Sequence, residues 1–408
     1  MSLTSRSPAR RSTIVVTGLA VSTVLLAACG GGSSGGSSSS PAATSASAPA
    51  SSSAPASSSA PANGIEAARA EVAANTEKIS AWPEPATLSK PADLTGKTVW
   101  WIPIGDAIPV IHGIGVGLTE GIEKAGGKVK LCDGKFNPAD IGGCMKAALD
   151  QKADAVVTGF IDYAQLPIAF DALVAAGIPV LVGGEAASGG KTSDAKLSFL
   201  DPTVSRTQAF EFLSKIAIAD GGESTNVLWA ALEDSSLTKD ASAAGAAAVT
   251  QICPTCTVVS VPFSTPTVDK LPAGIAAALV KNPNINYVIV PVDAFVPPVT
   301  AGIQAANATA RVKLIASSGD VAGLQLVKAG KMLADTGTPV IYEGWVYANA
   351  LMQQLAGDPV TPEDVLVQRT FTKDNTQDLA LTPEAYLTSE WYGTDDFKVK
   401  FATAWGLK

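Results

Sequence analysis

The sequence holds one histidine, His112, and five cysteines. Imidazole chemistry is therefore confined to a single position, and His112 has no obvious nucleophile beside it. No GxSxG, HExxH or phosphate-loop pattern is present, so the chain does not read as an enzyme and no cofactor or metal is expected. Cys132 and Cys144 would close a small loop between a strand and the next helix, and Cys253 and Cys256 frame Pro254-Thr255. A four-cysteine zinc site would need two remote segments to meet. A redox CxxC normally opens a helix, whereas Thr257-Val258-Val259 reads as strand. Two local disulfides are the expectation. The remaining polar chemistry lies in loops that follow strands: Asp106, His112, Asp162, Tyr163, Glu185, Glu233, Asp234, Ser236, Asp293, Ser317, Ser318 and Asp320. Phe160, Phe295, Tyr342 and Trp345 are candidate walls, and Thr338 lies in a turn nearby. Carboxylates and hydroxyls without arginine suit a neutral or cationic small molecule carrying donors, such as a polyol, glycoside, nucleoside or amine. For each acid the competing role is a helix N-cap, and for each aromatic it is core packing.

The elements that must position these residues follow from periodicity. From Lys97 on, short β-branched runs alternate with amphipathic stretches, the pattern of βαβ units on parallel sheets. Strands are predicted at Thr98–Ile104, Val129–Cys132, Ala155–Gly159, Pro179–Val182 and Leu197–Leu200, with helices near 111–125, 139–151, 165–176 and 204–219. The plan then repeats. Strands near Asn226–Ala230, Val258–Val261, Tyr287–Val290, Val312–Ala316 and Lys331–Asp335 alternate with helices near 238–251, 268–281, 294–307 and 320–329. In an open parallel sheet, ligands bind outside the carboxyl ends of the strands, where all the loops named above lie. Two such lobes face to face would enclose a cleft.

The first 29 residues read as an export signal: Arg10-Arg11, an apolar stretch from Ile14 to Ala28, then Cys29. Leu26-Ala27-Ala28-Cys29 resembles the lipobox of bacterial lipoproteins, which implies lipidation at Cys29 and attachment to the membrane through a lipid anchor only. Apart from Thr44 and Asn63, residues 30–63 are Gly, Ser, Ala and Pro, with no charge and no large side chain. They form an expected disordered tether, spanning about 30 Å as a random coil. Residues 64–80 read as a helix, and a Pro-rich link brings the chain to residue 95. The formal charge of −8 argues against a nucleic-acid partner.

Several runs carry a resemblance. Lys97-Thr98-Val99-Trp100-Trp101-Ile102-Pro103, Gly117-Leu118-Thr119-Glu120-Gly121, Asn137-Pro138-Ala139-Asp140, Lys152-Ala153-Asp154-Ala155 and Ala175-Ala176-Gly177-Ile178-Pro179 occur in the order and spacing of type I periplasmic binding proteins of the ribose/galactose kind. Lys281-Asn282-Pro283 and Ala329-Gly330-Lys331 match more loosely. The resemblance implies an α/β fold of two doubly wound parallel-sheet lobes joined by a three-crossing hinge. The crossings would fall near Asp201-Pro202, Gly337-Thr338-Pro339 and Val360–Val365. Lobe 1 would take 96–201 plus 339–362 and lobe 2 would take 202–338 plus 363–377, with 378–408 packing on one lobe. It further implies a monomeric extracytoplasmic receptor that passes its ligand to an ABC transporter permease, or alternatively presents it to a membrane kinase or chemoreceptor. The chain departs from the family's sugar site. Gly184-Glu185 stands where Asp-Arg is frequent, Val292-Asp293 replaces Asn-Asp, and Ser318 stands in place of an aspartate.

Overall fold

The computed structural model describes residues 63–407. The export signal, Cys29 and the tether up to Ala62 lie outside the described residues. One sheet contains β1 (Thr98–Pro103), β2 (Lys128–Leu131), β3 (Ala155–Gly159), β4 (Val180–Gly183) and β5 (Leu197–Leu200), all parallel, in the order β2-β1-β3-β4-β5. The other contains β6 (Asn226–Leu232), β7 (Thr257–Phe263), β8 (Tyr287–Val290), β9 (Lys313–Ser317), β10 (Ala334–Gly337) and β11 (Arg369–Thr372), ordered β11-β10-β9-β8-β6-β7. There only β11 runs antiparallel, against β10.

Helix α1 (Gly64–Asn75) precedes the first sheet. Helices α2 (Pro109–Lys124), α3 (Pro138–Asp150) and α4 (Pro167–Ala175) connect its strands. Helices α5 (Thr203–Gly221), α6 (Ser236–Ile252), α7 (Leu271–Lys281), α8 (Val296–Ala305) and α9 (Val321–Lys328) serve the second. Helix α10 (Val340–Ala356) follows β10, and the short α11 (Lys373–Thr376), α12 (Pro383–Tyr386) and α13 (Phe397–Ala404) complete the chain.

Strict alternation along the strands assigns the two faces of each sheet. Val99, Trp101, Val157 and Leu181 pack with α2 and α10, while Trp100, Ile102, Val156 and Val180 pack with α3 and α4. In the second sheet Val227, Trp229 and Ile289 face α5 and α6, and Leu228, Ala230 and Val288 face α7 and α8. Strands buried on both faces are why the runs read as continuously apolar. Local chemistry sets the helix ends. Asn137 caps α3 ahead of Pro138, Ser235 and Thr238 form a capping box on α6, and Asp320 caps α9 through the Gly323 N–H.

Helix α10 lies against α2 so closely that backbones touch. A Cβ at Gly117 would stand 2.9 Å from Ile341 Cα, and one at Gly121 would stand 2.7 Å from Ala348 Cβ. The sequence gives α10 no polar stripe, since most of its residues are buried, and it was not foreseen as a helix. Other departures are local. The first helix stops at Asn75 rather than 80, and the strand expected at Lys331–Asp335 runs from Ala334 to Gly337. The chain passes between the lobes after β5, after β10 and again between α10 and β11. The C-terminal segment packs on both lobes rather than one. Tyr392 meets Phe371 next to β10, and Trp405 stacks on Trp345 of α10.

Both disulfides are present: Cys132 at the end of β2 to Cys144 in α3, with 5.7 Å between Cα atoms, and Cys253 to Cys256 between α6 and β7. The first pins a helix to an exposed edge strand. Replacing Cys132 and Cys144 together by serine should lower the unfolding free energy by about 2–3 kcal/mol on loop-entropy grounds, read by urea titration. Unreduced intact mass on a Cys29→Ala chain should show both bridges; four alkylatable thiols would refute them.

Candidate functional site

The carboxyl ends of strands from both sheets open on one cavity of about 380 Å³. From the first sheet come Ile104 and Ile108 after β1, Phe136 after β2, Phe160 after β3, and Gly184-Glu185 after β4. From the second come Asp234 after β6, Thr265 after β7, Val292 and Phe295 after β8, Ser317-Ser318 at the end of β9, and Thr338 after β10. Ser205 and Arg206 enter from the first turn of α5, and Tyr342 and Glu343 enter from the first turn of α10. Residues 361–367, the third crossing, form the floor with Glu363. Apolar walls with a few convergent polar groups are the usual composition of a small-molecule site.

The backbone is strained where it lines this space. Phe160 has φ 59° and Ser318 has φ 136°, both unfavourable for residues with a Cβ. Strain of this kind persists where surrounding structure enforces it, commonly at ligand sites. Gly184 has φ 76°, and a Cβ there would lie 2.6 Å from the Tyr347 hydroxyl. Only glycine fits, and the turn so made delivers Glu185 into the cavity wall.

Glu185 is 5% exposed, and burial pushes its carboxyl up to about 7. A hydrogen bond from Ser235 and the Arg206 charge oppose that rise, while Asp162 and Asp234 reinforce it. Glu363 is driven to about 8 by burial and by the field of Glu343, against Arg206, and burial also raises Glu343. The Arg206 guanidinium lies 5.6 Å from the centroid of the Phe160 ring and joins none of the ion pairs among the described residues. The site therefore contains an arginine, contrary to the sequence expectation.

Residues 99–359 match the periplasmic binding protein domain. The chain belongs to that family. No curated protein sequence matches it. Solved structures share the fold at low identity. An ABC sugar transporter subunit from Rhodobacter sphaeroides 2.4.1 is 19% identical with a TM-score of 0.57, over 69% of this chain and 100% of that one. An ABC transporter solute-binding protein from Agrobacterium vitis, bound with α-D-tagatopyranose, is 18% identical with a TM-score of 0.60, over 70% and 97%. A Mycobacterium smegmatis structure in complex with β-D-fucofuranose is 16% identical with a TM-score of 0.57, over 73% and 98%.

Of the residues singled out from sequence, Phe160, Glu185, Asp234, Phe295, Ser317, Ser318, Thr338 and Tyr342 line the cavity. The others lie elsewhere. Asp106 binds the half-exposed His112 at 3.0 Å outside the cavity. Asp162 caps the turn at Tyr163 by accepting from the Ala164 N–H, and Ser188 donates to it. Tyr163 is core, its hydroxyl donating to Asp171. Ser236 begins α6, whose cap is Ser235. Trp345 stacks on Trp405 at 5.2 Å and donates to Glu120. Sequence reasoning passed over Arg206, Glu343 and Glu363. Arg206 follows closely on the Asp201-Pro202 crossing, a placement that pointed toward the cleft. The two glutamates gave no signal while α10 went unseen.

Asp293 and Asp320 turn into the interior of lobe 2 instead of the cavity, where they meet the fully buried Asp335. The Asp320 N–H donates to Asp293 at 2.9 Å, and the Gly319 N–H donates to Asp335. Asp293 and Asp335 converge so closely that a Cβ on Gly323 would lie 2.5 Å from an oxygen of each. Burial, with the like charges adding to it, raises Asp293 well above the carboxylate range, and burial pushes Asp335 up to about 8. Among the described residues no group of three or more His, Cys, Asp or Glu is placed to hold a metal ion. The folded state thus binds more protons than the unfolded one between about pH 4 and pH 8, and stability should fall across that window as pH rises. Asp335→Asn keeps the acceptor for Gly319 and removes the charge. Its melting temperature should exceed that of the unaltered chain at pH 9 by more than at pH 5; an equal change at both pH values would contradict the raised titration of this buried pair.

Proposed function

We propose that this chain is a lipid-anchored extracytoplasmic receptor that captures a small polar organic ligand, neutral or cationic and sugar-like, and delivers it to the permease of an ABC importer. The observation that carries the reading is the cavity between the lobes, to which the strand ends of both sheets contribute. Aromatic faces at Phe160 and Phe295 suit the flat or apolar side of a ring, and Glu185, Asp234 and Ser318 suit its hydroxyl or ammonium donors. The sugars held by the Agrobacterium and Mycobacterium neighbours support a carbohydrate-like ligand. Arg206 adds a donor, but the carboxylates around it outnumber it, which disfavours an anionic ligand. Lipid attachment would be at Cys29, through the lipobox-like Leu26-Ala27-Ala28.

Mass spectrometry of small molecules released from the purified protein, followed by thermal-shift screening of sugars, polyols, nucleosides and amines, tests the proposal. A specific ligand at 100 times its Kd stabilises the fold by about 2.7 kcal/mol. No shift with any class would refute the reading. For the ligand found, binding should strengthen from pH 6 to pH 8 as Glu185 ionises to accept its donors. Glu185→Gln should weaken binding at pH 8 about tenfold, or about 1.4 kcal/mol, and flatten that pH dependence in calorimetry.

A further inference from the structure

Two segments outside the family match of residues 99–359 cross between the lobes beside the hinge. The first begins at α1. Ile65 and Ala68 sit in the core of lobe 2, Glu71 pairs with Lys215 at 2.6 Å, and the Thr76 carbonyl accepts from Arg369 of β11. A few residues later Trp82 is on lobe 1, stacked on Tyr342 of α10 at 5.0 Å and edge-on to Phe397 at 4.8 Å. The second segment runs the same way. Tyr392 packs on Phe371, and the Trp391 carbonyl accepts from Arg369 on the lobe 2 side, while Phe397–Ala404 packs on α10. The two crossings are bound to each other: the Ile79 N–H donates to the Tyr392 carbonyl at 2.7 Å, and the Trp82 indole N–H donates to the Thr394 carbonyl at 2.9 Å. Pro83–Ala86 and Phe401 of these segments form part of the cavity wall.

This placement bears on the hinge. Gly337, at the second of the crossings expected from sequence, has Tyr392 and Phe371 packed against it, leaving no room for a side chain. Opening the cleft at Gly337-Thr338-Pro339 would carry the lobe 2 anchors, Phe371 and Arg369, away from the lobe 1 anchor Tyr342, so each crossing would have to extend or release an end held by the buried Tyr392 or Trp82. We propose that the two terminal segments act as a double strap that walls the cavity on its hinge side and limits how far the lobes separate. The proposal rests on the receptor reading for its purpose, because a fixed wall makes Pro83–Ala86 and Phe401 determinants of which ligand fits. Its mechanical content needs no ligand.

Spin labels at Ile168, at the start of α4, and Lys270, just before α7, report the separation of the lobes; both sites are exposed. Pulsed electron-spin distances would be taken on the full chain after exhaustive dialysis. Three forms are compared: intact, Trp82→Ala, and a chain cut after folding at a protease site placed at the exposed Ala86-Thr87. The intact chain should give one narrow distribution, and at least one released form should gain a second population at longer distance. A broad or two-population distribution in the intact chain would overturn the strap, as would released forms that keep the intact distribution. The distances are read without ligand, so failure here leaves the receptor reading standing. A failed ligand screen likewise leaves the strap standing.

Discussion

The close approach of α10 to α2 is the contact on which the rest of the molecule depends. The chain returns from lobe 2 to lobe 1 through α10, and that helix reaches its seat because α2 offers Gly117 and Gly121 where side chains would hold it away. From this seat α10 sends Tyr342 and Glu343 to the cavity, Tyr347 beneath Gly184, Trp345 to Trp405, and the Gln354 amide to the Val180 carbonyl. One helix thus fixes the hinge, one wall of the site and the dock for the C-terminal segment. Helix packing at backbone contact tolerates little change, because interiors are close-packed and a single methyl must displace its neighbours.

Burial governs the electrostatics around that frame. Glu185, Glu343 and Glu363 stand on apolar walls with one guanidinium among them, so burial raises the proton affinity of each. A ligand that brings donors repays the desolvation of these carboxylates, and the same ligand bridges lobes that each supply only part of its contacts. Inside lobe 2 the Asp293–Asp335 pair follows the same rule without access to a ligand, and burial raises both carboxyls.

The neighbours in the family are covered almost end to end by about 70% of this chain. The shared part accounts for the two sheets and the cleft. The remainder among the described residues is not ornament on one lobe: α1 packs in lobe 2, Trp391 and Tyr392 meet Arg369 and Phe371 of β11, and Trp82 and Phe397 pack on Tyr342 of α10. A hinge with neighbours of this kind is a broader joint than a bare three-crossing one.

Much of the fold was legible in the sequence because it rests on local physics. Runs such as Val227–Leu232 and Val156–Val157 are apolar whichever way they face, and Asn137-Pro138 or Ser235 begin helices by chemistry within one turn. Cys132 and Cys144 are near in sequence as well as in space, so their bond was readable too. Which strand-end side chains share the cavity was not local. Asp234 and Asp293 follow neighbouring strands of one sheet, yet one lines the cavity and the other is sealed against Asp335. Arg206, Glu343 and Glu363 become site residues only when α5, α10 and the third crossing are docked around one space. Residue type and period determined the strands, the caps and the disulfides. The packing of helices across two sheets decided the site, since the direction of a side chain depends on partners hundreds of residues away.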